Sequence, residues 1–151
     1  MVKKSSGILL YRFTNSFLEV FLVHPGGPFW ASKDLHAWSI PKGEFTDEDS
    51  LSAAVREFEE ETGIHLNGNF TALTTIIQKS GKKVYCYSCE GNIDPEKIRS
   101  NSFEIEWPPK SGNKQFFPEI DRGEWFNVAA GKLKIIEAQA AFIDELVDRL
   151  K

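Results

Sequence analysis

The stretch running from Leu51 to Gly63 carries two patterns at once, and together they restrict the fold more than any other part of the chain. Leu51, Ala54, Val55 and Phe58 recur at i, i+3, i+4 and i+7, the apolar stripe of a helix with one buried face. Glu57, Glu60 and Glu61 recur at i, i+3 and i+4, which gathers three carboxylates on another face of the same helix. Thr46, with Asp49 three residues later, resembles a capping box at the start. Gly63 is a natural C-terminal stop. A helix of this kind needs an apolar layer to lie on.

The rest of the sequence supplies that layer. Gly7–Phe13 and Phe17–His24 read as two apolar strands joined by Thr14-Asn15-Ser16, and His24-Pro25-Gly26-Gly27-Pro28 reads as a loop. Ala37–Ile40 is expected to be a short strand ending at Pro41. Phe70–Gln78 and Lys83–Glu90 read as strands around the turn Lys79-Ser80-Gly81-Lys82. Ile93–Pro118 is rich in Pro, Asn and Ser and is expected to be irregular, while Trp125-Phe126 falls near the end of a short strand. Glu137–Leu150 is expected to form a terminal amphipathic helix, with Ala141, Ile143, Leu146, Val147 and Leu150 as core contacts. This order predicts an α/β fold in which a mixed β-sheet is sandwiched between helices.

At 151 residues the chain is the size of a single domain, 1–151, with no repeat or linker dividing it. Hydrophobic residues make up 41% and charged residues 26%, which excludes disorder, collagen and coiled coil. The formal net charge of −4 argues against coating DNA. No apolar run approaches a membrane span, and the N-terminal run is too short for a signal peptide, so a cytoplasmic protein is expected. Two cysteines make no disulfide framework. Cys86 and Cys89 form a C-x-x-C within a strand, where i and i+3 side chains point to opposite faces. His24, His36 and His65 have no ligand spacing and read as structural. There is no Walker-A pattern and no G-x-G-x-x-G.

The charge is concentrated. Gly43–Ile64 holds eight acids and one base, Arg56. Like charges at helical spacing repel, and only Arg56 is near enough to relieve them. An oxygen-rich cluster without Cys or His suits a hard cation, Mg²⁺ or Mn²⁺. Taken alone, Glu-x-x-Glu-Glu is better read as a solvated acidic helix face.

The wider segment resembles the signature of the Nudix hydrolase family, which runs Gly, five residues, Glu, seven residues, then Arg-Glu-apolar-x-Glu-Glu-x-Gly-apolar. Residues Arg56 to Ile64 match every fixed position, and Glu48 stands seven residues before Arg56. The first half departs from the pattern, since four residues rather than five separate Gly43 from Glu48. The resemblance implies a Nudix fold with the motif at 43–64, and hydrolysis of a phosphoanhydride in a nucleotide-type substrate. It implies Glu57, Glu60 and Glu61 as ligands of catalytic Mg²⁺ or Mn²⁺, a ligand from the Gly43 carbonyl, and Arg56 as a partner that orients a ligand carboxylate. Glu48 would steady the junction of loop and helix.

Many members of that family add a later carboxylate as ligand or base. Glu119, six residues before Trp125, has the spacing of the extra Glu in dinucleoside polyphosphate and RNA pyrophosphate hydrolases; Glu104 and Glu106 are alternatives. Lys42 is a candidate for phosphate contact, as are Lys79, Lys82 and Lys83 on a turn. Tyr85, Tyr87, Phe29 and Trp30 are candidates for stacking on a base. The expected substrate is a nucleoside or dinucleoside polyphosphate. The alternatives are a short triphosphorylated RNA 5′ end, or a Nudix-fold sensor that binds a nucleotide without cleaving it.

Overall fold

A computed structural model describes residues 2–151. Nine strands and three helices follow one another as β1 (Lys4–Thr14), β2 (Phe17–Pro25), β3 (Lys42–Phe45), α1 (Ser50–Thr62), β4 (Phe70–Ala72), β5 (Ile76–Ile77), β6 (Lys83–Glu90), β7 (Ser102–Glu106), β8 (Lys114–Pro118), β9 (Ile120–Asn127), α2 (Val128–Lys134) and α3 (Ala140–Arg149). Seven strands make one mixed sheet in the order β4-β6-β1-β2-β9, with β3 on β1 and β5 on β6. The β1–β6 pair is parallel and the other pairs are antiparallel.

The sheet is buried on both faces, which explains the unbroken apolar runs Ile8-Leu9-Leu10 and Val20-Phe21-Leu22-Val23. Ile8, Leu10, Phe21 and Val23 face α1 and pack with Ala54 and Phe58. Leu9, Val20 and Leu22 face the other way and pack with Trp38, Phe142, Ile143 and Leu146. The expected sandwich is therefore the observed one. Cys86 and Cys89 lie in opposite layers, as period-two alternation requires.

Several expected boundaries differ. The N-cap of α1 is Asp49, whose carboxylate accepts from the Ser52 amide at 2.9 Å, so Thr46 and Asp49 form no capping box. Ala37–Ile40 is not a strand: Trp38 and Ser39 make isolated bridges to Ile135 and Val23, and the strand comes later, at Lys42–Phe45. The run Phe70–Gln78 is broken into β4 and β5. The 93–118 region contains a 3₁₀ turn, Pro95–Lys97, and the β7–β8 hairpin, a second small sheet. Trp125-Phe126 does fall near the end of a strand, the eight-residue β9. The terminal helix begins at Ala140 after a 3₁₀ turn over Glu137–Gln139, and α2 precedes it. Ala141 and Leu150 are exposed, and Phe142 takes the core position instead. Among the described residues no helix is long and apolar enough to cross a membrane.

Candidate active site

The motif folds as a strand, a turn and a helix. Gly43 lies on β3 opposite Ser6 of β1, so the shortened spacing is accommodated between the end of β3 at Phe45 and the cap at Asp49. Helix α1 then lies across the sheet on Ala54 and Phe58, which turns Glu57, Glu60 and Glu61 toward β3 and the loops beyond it. Gly63 closes the helix with φ 77°, its amide N–H donating a hydrogen bond to the Glu59 carbonyl.

Arg56 organises the acids around it. Its Nε and Nη2 grip Glu48 at 2.9 and 2.5 Å, and its Nη1 reaches Glu57 at 2.8 Å and Glu60 at 3.2 Å. Glu48 thus ties the junction before the helix to the helix itself. These carboxylates hold the Arg56 guanidinium above its ordinary basicity, the Glu48 hydrogen bond being the largest cause. Glu61 is the most secluded of the three. Its Oε1 accepts from the Lys42 amide at 3.0 Å. Burial raises its carboxyl to about 8, with the charges of Glu57 and Glu119 adding to the rise. Glu57 is also raised, chiefly by burial, against the downward pull of Arg56.

Glu119 reaches the same place from the other side of the fold. It stands between β8 and β9, and its peptide is clamped on both sides. Its amide donates to the Asn101 carbonyl at 2.7 Å, and its carbonyl accepts from the Gly26 amide at 2.8 Å. Asn101 in turn donates to the Glu60 carbonyl at 3.2 Å, so one backbone relay joins α1 to Glu119. Burial and the nearby Glu60 charge both raise the Glu119 carboxyl. Glu61, Glu119 and Lys42 line one cleft of about 220 Å³, together with Trp30, Ser39 and Ile136. Burial and the charge of Lys82 depress the Lys42 ammonium, while Glu61 and its neighbours oppose the shift.

The other expected site residues fall elsewhere. Tyr85 stacks edge-on against Phe45 at 5.7 Å, and Tyr87 shares a 2.5 Å hydrogen bond with Ser50, so neither lines the cleft. Glu104 faces Lys114 at 3.5 Å, and Glu106 accepts from the Lys110 amide at 2.8 Å, both within the hairpin. Lys82 pairs with Glu44 at 3.0 Å. Trp30 does reach the cleft, and Phe29 stacks on Trp107 at 5.2 Å. Asn101, Gly26 and Ser39 were not legible as site residues, because they act through backbone geometry or cleft shape that no local pattern encodes.

Among the described residues, no three Asp, Glu, His or Cys side chains converge closely enough to enclose an ion. Arg56 accounts for this, since it draws Glu57 and Glu60 to its own guanidinium while Glu61 faces the Lys42 amide. The donor chemistry nevertheless fits a hard divalent cation. The acids are oxygen donors only, Glu57 and Glu61 are desolvated, and their mutual repulsion is of the kind a cation relieves.

The sequence matches the NUDIX domain profile over residues 1–146. No curated protein sequence matches the chain significantly. Solved structures with a similar fold include an Ap4A hydrolase of C. elegans in a binary complex, at 19% identity and TM-score 0.66, with 97% of each chain covered. The NUDIX domain of Shewanella oneidensis NrtR complexed with ADP ribose is similar at 17% identity and TM-score 0.69, covering 100% of this chain and 90% of that one. A MutT from work on Aliivibrio salmonicida and Vibrio cholerae is similar at 16% identity and TM-score 0.56, covering 97% and 96%. Profile and fold agree with the motif on α1: the chain belongs to the NUDIX family, that of the Nudix hydrolases.

Proposed function

We propose that this protein hydrolyses a phosphoanhydride bond in a nucleoside or dinucleoside polyphosphate, with Mg²⁺ or Mn²⁺ as its cofactor. One observation carries the reading. Glu61 of α1 and Glu119 of the β8–β9 junction line a single cleft that also holds Lys42, with Glu57 and Glu60 near enough for their charges to raise these two carboxyls. The fold shared with an Ap4A hydrolase over nearly the whole chain supports the substrate class.

Glu57, Glu60, Glu61 and Glu119 are the residues that would hold the metal, with the Gly43 carbonyl beside them. When bound, a divalent ion supplies Lewis-acid stabilisation of phosphate charge and acidifies water. The chain's own groups do the rest. Arg56 bonds to Glu57 and Glu60 and so orients their carboxylates. Lys42 offers a cation at the cleft wall to an anionic substrate. Trp30 lines the same cleft and offers an aromatic face to a base. Glu57 and Glu119, both made more basic than an ordinary carboxylate, chiefly by burial, are suited to accept a proton from the attacking water.

A second reading is binding without hydrolysis, and the fold shared with the NrtR domain complexed with ADP ribose favours it. The retained Glu57, Glu60 and Glu61 weigh against it, since a pure binder has no need of all three. The test is a product screen in Mg²⁺ over nucleoside triphosphates, diadenosine polyphosphates, ADP-ribose, nucleotide sugars and triphosphorylated RNA. Turnover of nucleoside or dinucleoside polyphosphates supports the proposal. Turnover of RNA ends alone, or tight binding with no turnover, overturns it in favour of one of the alternatives.

A further inference from the structure

His24 is 1% exposed, and both of its ring nitrogens are engaged. Nδ1 lies 2.9 and 3.1 Å from the two carboxylate oxygens of Asp121, and Nε2 lies 2.7 Å from the Lys33 carbonyl oxygen. A carboxylate and a backbone carbonyl only accept hydrogen bonds. A neutral imidazole has one N–H, so this buried ring would turn a lone pair toward one of these oxygens. A ring carrying a proton on both nitrogens satisfies both partners.

The fold builds this pairing. The β2–β9 register shifts between His24 and Pro25, where His24 opposes Arg122 but Pro25 opposes Ile120. Asp121 is therefore the extra residue of a β-bulge, a device that re-aims a side chain. Other charged groups lie around this pair. Arg122 of β9 lies 4.0 Å from Asp121 on its outer side and stacks over Trp38 at 5.0 Å. Asp34 of the adjoining loop accepts from the Trp38 indole at 2.9 Å and is paired with Lys134 of α2. Lys33 turns its ammonium away, over the Trp30 ring at 5.0 Å.

The bond to Lys33 has a consequence at the cleft. The Lys33 amide donates to the Trp30 carbonyl at 2.9 Å, and the Trp30 amide donates to the Gly27 carbonyl at 3.4 Å. Holding the Lys33 carbonyl therefore holds the turn that carries Trp30, which lines the cleft with Glu61 and Glu119.

We propose that His24 is a positioning residue: protonated on both nitrogens, it joins Asp121 to the Lys33 carbonyl and so fixes Trp30 against the substrate cleft. The effect on substrate rests on the hydrolase reading above, whereas the protonation and the anchoring of the turn do not.

The test has parts that fail separately. In the histidine-¹⁵N-labelled wild type at pH 7, both His24 ring nitrogens are expected at imidazolium shifts. One pyrrole-like and one pyridine-like shift would overturn the proposal. In His24→Gln, the amides of Trp30 and Lys33 are expected to exchange about tenfold faster. For any substrate the wild type turns over, KM is expected to rise about fivefold with kcat within about twofold. Wild-type exchange and KM in that variant would overturn it. Asp121→Asn keeps the shape and removes the charge. It should convert the ring to a neutral tautomer and loosen the same two amides, so it decides the matter if His24→Gln does not fold; an unchanged ring and unchanged amides there would overturn the proposal. A wild type that turns over nothing sinks the hydrolase reading alone, because the ring shifts and amide exchange are read without substrate.

Discussion

Gly43 and Glu57 occupy adjoining space across the β3–α1 junction: a β-carbon at Gly43 would fall on the Glu57 carboxylate. The clash is with the end of a flexible side chain, so the fold has room to yield while the carboxylate does not stay in place. Gly43→Ala is expected to change Tm by less than about 4 °C. It should weaken Mg²⁺ binding at least about tenfold. Calorimetric titration of Mg²⁺ checks this, and wild-type affinity would remove Glu57 from the ligand set.

Arg56 links Glu48, Glu57 and Glu60 from a partly exposed position. Arg56→Ala should cost stability by about 0.5–1 kcal/mol, because exposed ion pairs contribute little. Its larger effect should be on the metal, about tenfold in affinity. That loss should remain smaller than the loss in Glu61→Gln measured in parallel. An equal or greater loss in Arg56→Ala would show that it does more than orient the carboxylates.

Glu61 gives a pH dependence with a definite sign. Its carboxyl is raised to about 8 in the fold from an ordinary 4.5, so the folded state binds the proton more tightly than the unfolded chain does. The metal-free protein should therefore lose this contribution progressively as pH rises from about 4.5 through 8. Glu61→Gln mimics the protonated form and keeps an oxygen for the Lys42 amide. In chelator, the Tm of Glu61→Gln minus that of wild type should grow between pH 5 and 8. A difference that stays flat would mean that Glu61 is not desolvated.

Gly26 controls Glu119 through the backbone. A β-carbon at Gly26 would overlap the Pro118 carbonyl, and the Gly26 amide already holds the Glu119 carbonyl. Neither partner is a flexible side chain, so the strand end must shift. Gly26→Ala is expected to destabilise by about 1–3 kcal/mol. It should lower kcat by at least about tenfold through misplacement of Glu119. Denaturant unfolding and steady-state kinetics test the two effects separately, and unchanged kcat would place Glu119 outside the reaction.

The sequence made the helix legible because two periods were written into the same residues. The apolar stripe through Ala54 and Phe58 and the acid row at Glu57, Glu60 and Glu61 are local patterns, and local geometry fulfils them. The double burial of the sheet was equally plain in Ile8-Leu9-Leu10. The Ala37–Ile40 segment misled because its apolar residues are buried by packing, with Trp38 and Ile40 in the core, while its backbone makes only isolated bridges. The β7–β8 hairpin stayed hidden because Pro108, Pro109 and Asn113 belong to its turn, and Pro- and Asn-rich composition reads as a loop. What surrounds Tyr85 and Tyr87 was not legible, because strand alternation gives the face of a side chain but not what covers that face. Phe45 and Ser50, each distant in sequence, cover them. The bulge at Asp121 left no signature at all, since it depends on the register between two strands about a hundred residues apart.

The most direct test of the account is product-resolved turnover of nucleoside and dinucleoside polyphosphates by wild type and Glu60→Gln, each in Mg²⁺ and in excess chelator. Circular dichroism confirms that the variant is folded. The account predicts hydrolysis by wild type in Mg²⁺ only, with kcat reduced at least about 100-fold in Glu60→Gln and essentially no turnover in chelator. Comparable turnover in the variant, or wild-type turnover that persists in chelator, would contradict the assignment of these carboxylates to a metal-dependent hydrolytic site.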